Sequence, residues 1–153
     1  MKDEFNRKLD LRTNARGMLR YANDYFKAYK ILLEREPRFL TLYQVKFFLL
    51  CHSIELALKA DLKRRGYTRK QLLDLGHDLE KILKVLKEKH EVLLDVESLR
   101  QIFLANELYK TKQFEYSLTG AKFLADISKL ESITDLILSK TLYWIEKEAV
   151  SNG

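Results

Sequence analysis

Apolar residues return every three or four positions along most of this chain, the period of helices packed on one face. From Asn14 to Glu34, Leu19, Ala22, Phe26, Tyr29 and Leu33 form one such stripe. Glu36-Pro37-Arg38 should end that helix, because the residue before a proline avoids the α region. Thr41-Leu42-Tyr43-Gln44 has the form of a capping box and predicts a second helix from there to about Arg65, with Gly66 as its left-handed stop. Phe47, Phe48, Leu50, Cys51, Ile54, Leu56, Ala57, Leu58 and Leu62 cover most of that helix's circumference. A helix apolar nearly all round belongs at the centre of a bundle or at a subunit interface.

Thr68-Arg69-Lys70-Gln71 repeats the capping-box pattern and predicts a short helical turn closed by Gly76. A third helix is expected from Asp78 to Lys89, with Leu79, Ile82, Leu83 and Leu86 inward. Asp95 can cap a fourth, from Val96 to Tyr109, with Leu99, Ile102, Phe103 and Leu108 apolar. Lys110 to Gly120 reads as a polar and aromatic connector. The last helix, Ala125 to Ala149, should bury Ile127, Leu130, Ile133, Leu136, Ile137, Leu142 and Trp144 or a close subset. The chain has one proline and five glycines, too few breakers for a strand-and-turn architecture. The expected fold is all-α, an up-and-down bundle of four main helices plus one or two short ones, in a single domain over residues 1–153.

Composition narrows the class. With 153 residues, 46% of them hydrophobic, the chain can bury a core of its own. Cys51 is the one cysteine, which excludes an internal disulfide and a multi-cysteine zinc site, and its apolar setting reads as a buried structural thiol. Met1-Lys2-Asp3-Glu4-Phe5 is charged with no apolar run behind it, so no secretory leader is expected. The stretch from Val45 to Ala60 is too short for a span and holds Lys46, His52, Glu55 and Lys59. A cytoplasmic protein without a membrane partner is the expectation. The formal charge of +6 and pI of about 9.3 permit nucleic-acid or other anionic partners.

The candidate chemistry sits on the central helix and just after it. His52, Glu55 and Lys59 stand at i, i+3 and i+7 on one face, and Glu55 precedes Lys59 by the favoured ion-pair spacing. They form either a polar seam that fixes helix register or a shallow site in which Glu55 holds the His52 ring. His77 and Asp78 open the third helix, where either can cap; as a functional pair they would be base and orienting acid, without a nucleophile in evidence. His52 and His77 are thus the candidate catalytic residues, and Asp78 completes the seam. These residue types suit zinc or manganese, but no recognised ligand spacing is present, and neither metal nor cofactor is expected. Lys63, Arg64, Arg65, Arg69 and Lys70 either complement a helix C-terminus or bind anions. Tyr109, Phe114 and Tyr116 alternate with Lys110 and Lys112, a pattern that stacks single-stranded bases or anchors a loop before a turn at Gly120.

The helix reading His-Ser-Ile-Glu-Leu-Ala-Leu-Lys-Ala from His52, followed by Gly76-His77-Asp78-Leu79, resembles the HEPN superfamily over Leu50 to Leu83. That resemblance implies a bundle of four or five helices, often a homodimer. Many members are metal-independent ribonucleases of toxin–antitoxin and phage-defence systems; others are inactive accessory domains beside nucleotidyltransferases. The ribonuclease branch carries an arginine followed, after four to six residues, by a histidine. Here the histidines are His52, His77 and His90, and lysines, Lys46, Lys70 and Lys84, stand at that distance instead. The resemblance therefore implies an accessory or binding module contacting RNA, nucleotide or a partner protein such as a nucleotidyltransferase. A ribonuclease with an altered site and a purely structural dimer are the alternatives.

Overall fold

Helix follows helix through the computed structural model, which describes residues 1–89, 94–111 and 125–153. Among those residues the order is α1 (Lys2–Arg12), α2 (Ala15–Arg35), α3 (Tyr43–Arg64), α4 (Arg69–Asp74), α5 (Leu79–Lys89), α6 (Val96–Tyr109) and α7 (Ile127–Ser151), with no strand. The all-α bundle is as expected, and among the described residues it has three short helices, α1, α4 and α5, where one or two were expected. The unanticipated one is α1, which buries no residue and so had no apolar stripe to betray it. It has Asp3 and Glu4 in its first turn and Arg12 in its last, the signs its dipole favours. Asp10 ties it down by accepting from Lys63 Nζ and from the Arg69 backbone N–H.

The central helix is α3, packed against α2, α4, α5, α6 and α7. Phe47, Leu50, Ile54 and Leu62 on it are fully buried; each such side chain stabilises the fold by about 1.5–3 kcal/mol. Its start departs from the capping box read at Thr41. The helix begins at Tyr43 with no side-chain cap, because Leu42 takes a left-handed φ of 55° and the Tyr43 N–H turns back to the Leu40 carbonyl. Lys46, also buried, donates to the Arg38 carbonyl at 2.8 Å and pins this connection to the helix. The end of α3 is as expected. Gly66 has φ +95°, its N–H meets the Lys63 carbonyl, and the Tyr67 N–H reaches Leu62, a Schellman stop. The capping box at Thr68 forms in full, Asn14 caps α2, and Asp95 caps α6.

On α7 the buried stripe runs through Ile127, Leu130, Thr134, Ile137, Leu138, Thr141 and Ile145, with Ile133 beside it. Leu136, Leu142 and Trp144, expected inside, are substantially exposed. Threonine is tolerated in the stripe because its hydroxyl can be satisfied by its own helix: Thr134 Oγ1 donates to the Leu130 carbonyl at 2.6 Å. None of the described helices is long and apolar enough to cross a membrane.

Candidate functional site at Glu55 and His77

One turn of α3 sets Glu55 and Lys59 side by side, facing α6 and the loop before α5. Both are buried, with side-chain exposures of 3% and 9%. Lys59 Nζ donates to Glu55 Oε1 at 2.8 Å and to the Gly76 carbonyl at 2.6 Å. Gly76 has φ +60°, a conformation that disfavours any side chain there. His77, the next residue, swings its ring back onto the carboxylate, with Nδ1 3.0 Å from Glu55 Oε2 and 3.3 Å from Oε1. From α6, Tyr109 Oη reaches Glu55 Oε2 at 2.5 Å. Three donors from three elements therefore converge on one buried carboxylate.

Proton counting assigns the ring nitrogens. A carboxylate only accepts, so Tyr109 spends its single hydroxyl proton on Glu55. His52 Nδ1, 2.9 Å from Tyr109 Oη, must then be the donor of that contact. By the same argument His77 donates from Nδ1 to Glu55, and its Nε2 is the nitrogen left over. Burial pushes the Glu55 carboxyl up, but the Lys59 hydrogen bond and charge, followed by the bonds from Tyr109 and His77, outweigh it and hold the group below the ordinary glutamate range. Burial lowers His52, and the opposing pull of Glu55 does not restore it. Burial and the Glu55 charge drive the Tyr109 phenol far up, so it stays protonated.

His52 lies between Tyr25, edge-on at 4.5 Å, and Phe48, stacked at 5.3 Å. It is part of the packed seam. His77 is its outlet, with 52% of its side chain exposed.

Asp78 belongs to a neighbouring arrangement. Its Oδ1 accepts from the Lys81 N–H, capping α5, and from Asn106 Nδ2 at 2.9 Å. Asn106, fully buried on α6, also accepts the Leu79 N–H at 2.8 Å. The acid that orients His77 is thus Glu55 and not Asp78, which corrects the pairing read from their adjacency. His52, Glu55, Lys59 and His77 do come together. Among the described residues no group of histidine, cysteine and carboxylate side chains is placed to hold a metal. Cys51 is fully buried and its thiol is pushed up by that burial, as a packing residue should be.

Most of the basic residues from the end of α3 to the start of α4 pair with carboxylates through their side chains. Lys63 pairs with Asp10, Arg64 with Asp61 and Glu148, Arg65 with Asp61, and Lys70 with Asp74. The Arg69 contact to Asp10 is through its backbone. Of the connector, Tyr109 is on α6 and inside the network, and Lys110 pairs with Glu107; Lys112, Phe114, Tyr116 and Gly120, like His90, lie outside the described residues.

Tyr109 in the network and Asn106 in the arrangement beside it are the residues whose roles the sequence reading misses. Their spacing of three on α6 was the available signal, since it puts both on one face. No protein-family model, curated protein or solved structure matches this chain.

Proposed function

We propose that this chain is a cytoplasmic, homodimeric HEPN-like accessory module that binds RNA or nucleotide through the face where His77 opens, in a toxin–antitoxin or defence setting beside a nucleotidyltransferase partner. The observation that carries binding rather than turnover is the fate of Lys59. It is the cation of the network, and it is buried and committed to Glu55 and the Gly76 carbonyl. A phosphoryl transition state needs a cation free to meet its developing charge. What remains for a ligand is an imidazole held in one orientation from beneath. The net charge of +6 supplies general attraction to phosphates. Exposed pairs such as Lys70–Asp74 are worth only about 0–1 kcal/mol and can yield to a phosphate. The dimer is supported by Leu136, Leu142 and Tyr143, which leave apolar surface exposed on α7.

The Glu55–His77 geometry favours a second reading. A carboxylate on Nδ1 with Nε2 left over is how a general base is oriented, and a ribose 2′-hydroxyl is a substrate such a base could deprotonate. One experiment separates the two. Pooled cellular RNA is incubated with wild type, His77→Ala and Glu55→Gln at low and moderate salt, and both binding and cleavage are followed. The expected result is saturable binding that weakens with salt, a loss on His77→Ala, and no turnover. Multiple turnovers abolished by His77→Ala in a folded protein would replace the accessory reading with the ribonuclease. Absence of binding at low salt would overturn both.

A further inference from the structure

A cavity of about 310 Å³ opens between α3, α5 and α7, and no residue of the Glu55–His77 network lines it. Its apolar lining includes Leu58, Leu86 and Ile137, and its polar lining includes Asp61, Arg65 and Trp144. Small-molecule sites have this make-up, an apolar body with a few placed polar groups, and this one is at the small end of their size range. The two arginines beside it are used differently. Arg64, whose guanidinium carbon lies 5.8 Å from the centre of the Trp144 ring, is committed on both sides, to Asp61 and to Glu148. Arg65 spends only Nε, on Asp61 Oδ2 at 3.2 Å. Its two terminal nitrogens make no hydrogen bond among the described residues. A guanidinium with its terminal edge unspent is a fork for an oxyanion.

We infer that this cavity binds a small amphipathic carboxylate, its apolar body on Leu58, Leu86 and Ile137 and its head on the terminal nitrogens of Arg65. The charge of the head follows from Asp61. That carboxylate sits on Arg65 Nε and on Arg64, so a head bound beside it on the terminal nitrogens is repelled less with a single negative charge than with a double one. The apolar body follows from the lining. A purely ionic ligand would leave the half-exposed Trp144 ring on the cavity wall facing water and gain nothing from it.

Trp144 makes the site directly observable, since it is the chain's one tryptophan. Octanoate, kept below its micelle-forming concentration, is titrated into the full-length protein while tryptophan emission is followed. Octanol is the uncharged control with the same body. The expected result is a saturable emission change with octanoate, and binding at least about tenfold weaker with octanol or in Arg65→Gln, the loss of one charged hydrogen-bonding group. Arg69→Gln should bind as wild type does. Arg65→Lys should lie between, because an ammonium keeps the charge and loses the fork. If circular dichroism shows Arg65→Gln to be unfolded, Arg65→Lys decides: affinity equal to wild type overturns the proposal. So do the absence of a saturable change in the wild type, equal affinity for octanol and octanoate, or a folded Arg65→Gln that binds as wild type does.

Discussion

Replacing Lys59 by methionine keeps the length of the side chain and removes its charge. Two things are then left behind. Glu55 remains buried at 3% exposure without its cation, and the Gly76 carbonyl loses a donor at 2.6 Å. Removing one partner of a buried ion pair costs about 3–5 kcal/mol, because the other charge stays out of water uncompensated. Tyr109 and His77 still donate to Glu55, which places the expected loss toward the lower end, about 3 kcal/mol. At this chain length each kcal/mol moves the melting temperature by about 2–4 °C, so a fall of about 10 °C is expected. The internal comparison is Lys70→Met. Lys70 and Asp74 have the same spacing of four as Glu55 and Lys59, but their side chains are 85% and 63% exposed, so breaking that pair should cost about 0–1 kcal/mol. Urea unfolding of both variants, with m-values checked to be unchanged, measures the contrast. If Lys59→Met lies within about 1 kcal/mol of Lys70→Met, the buried seam does not hold the bundle as argued. The double variant Glu55→Gln/Lys59→Met should recover part of the loss, since it removes the stranded charge.

Three other outcomes follow from the same geometry. Glu55 has a folded-state pKa below its unfolded value, so its contribution is complete above the unfolded pKa of about 4.5 and is lost as pH falls through the folded one; Glu55→Gln should flatten the stability profile in that acid window. His52 is also depressed, from 6.5, so the unfolded chain takes up its proton first. Its ring should titrate below 6.5 by NMR, and stability should fall as pH drops through 6.5 toward that midpoint; a midpoint at or above 6.5 would refute the buried, proton-donating placement. Asn106→Ala strands the buried Leu79 N–H and takes a donor from Asp78; a loss of about 1–3 kcal/mol by thermal unfolding is expected, and none would mean that the bridge between α5 and α6 is dispensable.

The helices were legible wherever burial left a periodic trace. The stripe on α2 and that on α5 are where their spacing put them. A residue's contact with water is set by what surrounds it, however, and periodicity reads only one chain segment at a time. That is why α1, which buries nothing, left no trace, and why α7 was rotated in the reading. Leu136 and Leu142 outweigh Thr134 and Thr141 on any hydrophobicity count, yet the threonines face the core. The site divides in the same way. Glu55 and Lys59 are one turn apart on one helix, so their pairing follows from spacing alone. His77 joins them only because Gly76 turns the chain at a positive φ, and the glycine did mark that turn. Tyr109 is 54 residues from the carboxylate it bonds, and no local pattern encodes that distance. What the central helix did announce was a debt of polar groups: a carboxylate, an ammonium and an imidazole on a surface otherwise apolar. Buried charges require donors and acceptors from somewhere. The demand was readable from α3, and the residues that meet it, Tyr109 on Glu55 and the Gly76 carbonyl on Lys59, are fixed by the packing of the other helices around it.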